Sequence, residues 1–196
     1  MPTIFIGENP RLEAVVEDMG SDKCVVITHP HSLMGGNMSN NVVMTAWRVS
    51  LEKGLSSVRF NFRGVGRSGG SFDEGNSEMN DLASVIGFVQ KPPIIIGYSF
   101  GAWVAARLMQ RLEEPVPCIF ISPPTAMFAF PSMKRHSVWA ITGEADPFCS
   151  IPTLETLLDK DRILIVKDVD HFWFGDEDQL VPYLKDKLEL IDTVTK

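Results

Sequence analysis

The order of apolar runs along these 196 residues predicts an α/β chain, a three-layer α/β/α sandwich around a mostly parallel sheet. Three observations carry that expectation. Short continuous apolar runs, among them Cys24-Val25-Val26-Ile27-Thr28 and Pro93-Ile94-Ile95-Ile96, have the length and β-branched content of strands buried on both faces. Stretches with helical periodicity stand between such runs, so strand and helix alternate over most of the length. A glycine-flanked serine, Gly97-Tyr98-Ser99-Phe100-Gly101, joins one strand to one helix with no linker between them.

Taken in order, Thr3 to Ile6 and Leu12 to Glu17 read as two strands separated by the turn-forming Gly7-Glu8-Asn9-Pro10. The buried run Cys24 to Thr28 follows and feeds the loop His29 to Gly36. From Asn41 to Lys53, residues Val42, Val43, Ala46, Val49 and Ser50 share one helical face, and Gly54 is a natural stop. The strand Ser57 to Phe62 leads to a glycine-rich loop, Arg63 to Gly75, and then to a helix from about Ser77 to Gln90 that carries Met79, Leu82, Ala83, Ile86 and Val89. After the strand Pro93 to Ile96 and the turn at Ser99, Ala102 to Leu108 is helical. Cys118 to Ile121 is a strand ended by Ser122-Pro123-Pro124, and Val138 to Ile141 is the next, followed by Gly143-Glu144-Ala145-Asp146-Pro147. A short helix, Pro152 to Leu158, precedes the last strand, Arg162 to Val166, and the loop Asp168-Val169-Asp170-His171. The terminal helix, about Asp176 to Leu190, presents Leu180, Tyr183, Leu184 and Leu188, with Ile191 just beyond.

The turn at Ser99 reads as a nucleophile elbow. A serine on a sharp strand-to-helix turn has its hydroxyl pushed out above the sheet, and the flanking glycines leave room that a β-carbon would fill. The same spacing recurs at Gly66-Arg67-Ser68-Gly69-Gly70, but polar residues Ser71 to Gly75 follow it without helical periodicity, so context selects Ser99 over Ser68.

A serine hydroxyl is a weak nucleophile at neutral pH; it needs an imidazole to take its proton and a carboxylate to fix the imidazole's tautomer. In parallel-sheet hydrolases the three follow in the order Ser, Asp or Glu, His, and sites gather at the carboxyl ends of strands. His136 precedes its strand and falls at the wrong end, whereas His171 follows one and is the candidate base. Asp146, leaving the strand Val138 to Ile141, is the candidate carboxylate, with Glu144 as the alternative; Asp168 and Asp170 stand so near His171 that they suit orienting the loop. The N–H of Phe100 is expected to bind an oxyanion together with a donor from the loop after Thr28. Pro30 has no N–H, which leaves His31 first and Ser32 second. This chemistry calls for no cofactor and no metal.

Length and a hydrophobic content of 44% fit one domain over residues 1–196. The net charge of −7, without a basic run, argues against nucleic acid as a partner. The widely spaced Cys24, Cys118 and Cys149 suggest neither a disulfide framework nor a thiolate metal site, which fits a reducing cytoplasm. Met1-Pro2-Thr3-Ile4 opens with no basic region, and no stretch approaches the roughly 20 apolar residues of a membrane span, so a soluble, cytoplasmic protein is expected.

With these residues in hand, the chain resembles the α/β-hydrolase superfamily along nearly its whole length, and most of all its small, lidless serine hydrolases of the dienelactone-hydrolase-like kind. His29-Pro30-His31 through Gly35-Gly36-Asn37-Met38-Ser39-Asn40, Asn61-Phe62-Arg63-Gly64-Val65-Gly66-Arg67-Ser68, and Gly97 to Gly101 carry the likeness. It implies hydrolysis of a small ester or thioester through an acyl-enzyme. Related hydrolases often have Asp where Asn61 stands, and dienelactone hydrolases proper have Cys where Ser99 stands, so their substrate is not carried over. Lids of the superfamily usually fall between the sixth and seventh strands; here about Ser122 to Ser137 makes that connection, too short for a helical cap, and an open site is expected. Met127, Phe128, Phe130 and Met133 in that stretch, and Phe172-Trp173-Phe174 after the candidate base, either line an acyl pocket or belong to the core; an aromatic patch of this kind also suits a homodimer contact.

Three rival readings exist. Gly64-Val65-Gly66-Arg67-Ser68-Gly69 matches a dinucleotide fingerprint but opens no helix in the sequence pattern. His29 and His31 have metal-ligand spacing, but no carboxylate-rich partner accompanies them. A non-catalytic interaction protein on the same scaffold is the third, and no candidate triad residue is missing to favour it.

Overall fold

The computed structural model describes residues 2–133 and 136–194. Eight strands form one sheet: β1 (Ile4–Ile6), β2 (Leu12–Glu17), β3 (Cys24–Thr28), β4 (Ser56–Phe60), β5 (Pro93–Tyr98), β6 (Cys118–Ile121), β7 (Val138–Gly143) and β8 (Ile163–Val166). They lie in the order β1-β2-β4-β3-β5-β6-β7-β8. β2 runs antiparallel to both β1 and β4, and every other pairing is parallel. The parallel arrangement demands long crossovers, which are mostly helical. α1 (Asn41–Glu52) and α5 (Leu180–Val194) cover one face, while α2 (Glu78–Val89), α3 (Phe100–Met109) and α4 (Ile151–Leu157) cover the other.

Periodicity and capping explain the helices. Asn40 caps α1 by accepting from Val42 N–H at 3.0 Å, and Val42, Val43, Ala46 and Val49 go into the core. In α2, Glu78 and Asp81 sit in the first turn at the positive end of the helix dipole. Glu78 also accepts from the N–H groups of Asp73 and Gly75, at 2.9 and 2.8 Å, and so ties the preceding loop to the helix. The terminal helix begins later than its periodicity suggests: Gly175, at φ +84°, and a 3-10 turn at Glu177–Gln179 precede Leu180.

Two strand ends differ from the sequence expectation in ways that matter for the site. β5 runs on to Tyr98 because its neighbours hold it there, Thr28 pairing with Gly97 and Ile121 with Tyr98. Since α3 opens at Phe100, Ser99 alone makes the turn. β4 stops at Phe60 instead of Phe62, because Phe62 N–H turns away to the ring of His29, whose Nε2 accepts at 3.0 Å. The other nitrogen, Nδ1, lies 2.6 Å from Pro30 O, so His29 donates there and is the neutral Nδ1–H tautomer. Both nitrogens of His29 thus serve the backbone, tying the end of β3 to the end of β4.

A second polar knot sits at the start of β2. The buried Glu13 carboxylate accepts from Asn61 Nδ2 at 2.9 Å and from Arg67 N and Nε at 2.8 Å. Burial pushes that carboxyl up, but the bonds from Arg67 and Asn61 outweigh it and hold it below the usual range. Asn61 Oδ1 in turn accepts from Met38 N–H at 2.8 Å. An aspartate at position 61 would have no proton to offer Glu13, so the asparagine fits its neighbour. Ser68, the serine of the second glycine-flanked motif, accepts from Glu13 N–H at 2.9 Å and donates to Asn61 O at 2.7 Å. Its hydroxyl is a staple between β2 and the exit of β4. The surrounding Gly64 to Gly69 segment closes on itself through Gly64 N–H to Gly69 O at 3.0 Å and opens no helix.

Two stability measurements check these knots. Ser68→Ala leaves a buried N–H and a buried carbonyl unpaired and is expected to cost about 1–3 kcal/mol in urea unfolding. Burial holds His29 down from 6.5 to about 4, so between those pH values the unfolded chain binds a proton that the folded chain refuses. Stability therefore falls on acidification through that window, by about 3 kcal/mol at its foot. His29→Gln, which keeps an acceptor for Phe62 N–H but cannot titrate, should flatten that limb; an unchanged slope would refute the assignment.

Candidate active site

Ser99 sits at the carboxyl end of β5 with φ +53° and ψ −121°, a region in which a β-carbon crowds the backbone. Its neighbours explain why this turn can be one residue long. A β-carbon on Gly97 would meet Ala102 Cα at 2.6 Å, and one on Gly101 would meet Thr28 Oγ1 at 2.5 Å and His29 O at 2.7 Å. Both glycines let α3 pack straight back onto β5 and β3. Phe100 is the first residue of α3, where N–H groups lack intrahelical acceptors.

The structure brings Ser99, His171 and Asp146 together. Ser99 Oγ lies 2.8 Å from His171 Nε2, and His171 Nδ1 lies 2.9 and 2.8 Å from the two oxygens of Asp146. The remaining capacity of Asp146 is filled by Phe148 N–H at 2.9 Å, Cys149 N–H at 3.2 Å and Thr142 Oγ1 at 3.3 Å. Burial raises the Asp146 carboxyl, yet the bond and charge of His171, with the Phe148 N–H, outweigh it and keep it below the usual range. A carboxylate that only accepts fixes the proton on Nδ1 and leaves Nε2 free to accept from the serine hydroxyl. Glu144 is exposed and makes no contact with the imidazole, its N–H being bonded to Val166 O. His136 lies at the far end of the sheet, where its Nδ1 accepts from Val116 N–H at 3.3 Å.

The loop of His171 is held from several sides. The buried Tyr98 donates from its hydroxyl to His171 O at 2.9 Å, and Asp170 accepts from Phe172 and Trp173 N–H at 2.8 and 3.2 Å. Trp173, fully buried at φ +58°, donates from Nε1 to Ser122 Oγ at 2.9 Å. The exit loops of β7 and β8 touch because Gly143 has no β-carbon, which would stand 2.0 Å from Val169 O.

Above these residues opens a cavity of about 320 Å³. Met127, Phe128 and Phe172 are in its wall, as are Ser99, Phe100, His31 and His171. Phe130 is not. It is half-buried against the core, its ring 6.5 Å from Phe120, and Met133 further on in the same connection is fully buried. Ser32 lines a separate polar hollow on the other side of its loop, whereas His31 faces the cavity with its ring 4.9 Å from Phe100. Burial holds the His31 ring below its ordinary value, with Glu78 pulling weakly the other way. Phe174 is in the wall beside Phe172, whereas Met34 and Phe148 are wall residues that the sequence pattern does not point to. Phe148 presents an edge to His171 at 4.8 Å, and only its place two residues after Asp146 signals it.

Between β6 and β7 no helix stands among the described residues, so no cap covers the cavity. Likewise no helix among them is long and apolar enough to cross a membrane.

The chain is similar to known proteins in sequence and in fold. The chain is 31% identical to the uncharacterized protein RP471 of Rickettsia prowazekii, over 88% of its own length and 82% of that protein. An alpha-beta serine hydrolase homologue from Coxiella burnetii superposes with a TM-score of 0.85 at 28% identity, covering 95% of this chain and 97% of that one. XC6422 from Xanthomonas campestris, described as an a/b serine hydrolase without lid, superposes with a TM-score of 0.85 at 29% identity, over 96% and 93% of the two chains. A family model described as Alpha/beta hydrolase family matches residues 25–189, from β3 into α5. With its uncapped sheet and the three residues gathered at the end of β5, the chain belongs to the alpha/beta hydrolase family.

Proposed function

We propose that the protein is a serine hydrolase that cleaves a carboxylic ester or thioester of a small substrate through an acyl-enzyme. The observation that carries this reading is the unbroken hydrogen-bond line from Asp146 through His171 to Ser99, with 2.8 Å between Nε2 and Oγ, at the floor of an apolar cavity. Ser99 Oγ attacks the carbonyl carbon as its proton passes to Nε2, and the imidazolium is stabilised by the Asp146 carboxylate. The N–H groups of Phe100 and His31 receive the developing oxyanion. Collapse breaks the bond to the alcohol or thiol, which takes the proton from Nε2; water, activated by the same imidazole, then releases the acid and restores Ser99. His31 is chosen over Ser32 because it faces the cavity. The net charge of −7 disfavours the approach of an anionic substrate.

The test is covalent. A fluorophosphonate should add its mass to Ser99 in the wild type and to nothing in Ser99→Ala; an unlabelled wild type would argue for a non-catalytic scaffold. Asp146→Asn should lower kcat on a p-nitrophenyl ester by about 10⁴, since an amide no longer enforces the Nδ1–H tautomer. Glu144→Gln should leave kcat within about twofold, as expected for a surface change. The reverse pattern would reassign the carboxylate.

A further inference from the structure

We infer that the cavity is divided about Ser99 into an acyl side and an aromatic leaving-group side, and that it selects uncharged esters whose alcohol carries a flat apolar ring. The inference rests on the serine hydrolase reading above. Its first premise is chemical: the departing oxygen takes its proton from His171 Nε2, so the leaving group must lie against the imidazole. The side chains that flank the imidazole from the cavity are aromatic. Phe148 stands edge-on to it at 4.8 Å and Phe172 at 5.5 Å, and the Phe174 ring lies parallel to Phe172, 6.1 Å away.

These rings form a built platform. Phe172 and Phe174 are 43% and 72% exposed, an unusual state for two neighbouring phenylalanines. Their loop is nevertheless pinned: Asn41 Nδ2 donates to Phe172 O at 3.0 Å and to Glu177 Oε1 at 2.8 Å, and Glu177 Oε2 accepts from Gly175 N–H at 3.0 Å. Apolar faces held in place above the imidazole gain most from a ligand that is itself flat and apolar. Phe128 packs instead on α3, its ring 6.1 Å from Phe100 and 4.4 Å from Trp103, and this second aromatic wall is assigned to the acyl chain; Met34 and Met127 add adaptable surface to the cavity. No Asp, Glu, Lys or Arg lines the cavity among the described residues, so a charged group entering it would lose its hydration without a partner.

The experiment compares kcat/KM for benzyl, ethyl and 4-carboxybenzyl butanoate, the first two having alcohols of similar basicity. Benzyl should be preferred to ethyl by about tenfold or more, from the added apolar surface buried. The carboxylated ester should lose that advantage. Because both rings are exposed, Phe172→Ala and Phe174→Ala should fold normally, and each should pull the benzyl-to-ethyl ratio toward one. A wild-type ratio near one, or one that survives both substitutions, overturns the leaving-group platform while leaving ester hydrolysis intact. Failure to turn over any ester, with no fluorophosphonate on Ser99, overturns the hydrolase reading and the platform with it.

Discussion

The site depends on one constraint: β5 and α3 are separated by a single residue. That residue, Ser99, must take a positive φ to reverse the chain, at a backbone cost of about 1–3 kcal/mol. The structure sustains it because the surroundings allow no alternative. β5 is paired in parallel on both sides and α3 packs so closely that Ala102 and Thr28 occupy the space of the missing β-carbons at Gly97 and Gly101. The hydroxyl is thereby fixed at the carboxyl edge of the sheet before any other site residue is placed. His171 and Asp146 then need only reach it from the exits of β8 and β7, which lie successively outward on the same edge.

Those two exits are loops, and loops hold a geometry only when their backbone groups are satisfied. Tyr98 bonds the carbonyl of His171, Asp170 bonds the next two N–H groups, and Trp173 reaches across to Ser122 at the end of β6. Ser122 and Trp173 both adopt positive φ, so the strain is shared by residues that bond each other. On the other side of Ser99, His29 bonds Phe62 N–H and fixes the base of the loop that carries His31. Its two ring nitrogens are therefore occupied by backbone groups, which gives the H-x-H spacing a structural explanation.

The strand order of chemistry-bearing residues is legible in the sequence because it is local. Ser99, Asp146 and His171 each follow an apolar run, and strand ends at one edge of a parallel sheet converge whatever the details of packing. The same logic separates Ser68 from Ser99, since a helix follows one and not the other. What is not legible depends on where loops turn after leaving the sheet. Phe128 and Phe130 are two residues apart, equally apolar and both packed against the core, yet only Phe128 also walls the cavity. Phe148 looks no different in sequence from a buried phenylalanine, and its place in the wall follows from the turn at Asp146, whose carboxylate accepts from Phe148 N–H while it holds His171, 25 positions away. The Asn61 to Glu13 match is of the same kind, joining residues 48 positions apart.

An uncapped site raises a physical question, because the carboxylate–imidazolium pair formed when His171 takes the serine proton gains from a low dielectric that open water would remove. The answer lies in the aromatic residues themselves. Asp146 and His171 are only 6% and 4% exposed although no cap covers them, since Phe148 and Phe172 stand against the imidazole edge-on and Tyr98 stacks beneath it. Local packing thus does for the carboxylate and imidazole what a lid does elsewhere, while Ser99, 7% exposed, still meets the cavity. The division of labour suits the proposed two-step reaction. Its first step benefits from a shielded imidazole, and its second requires water to arrive at the same carbon from an open mouth, without a conformational step to admit it.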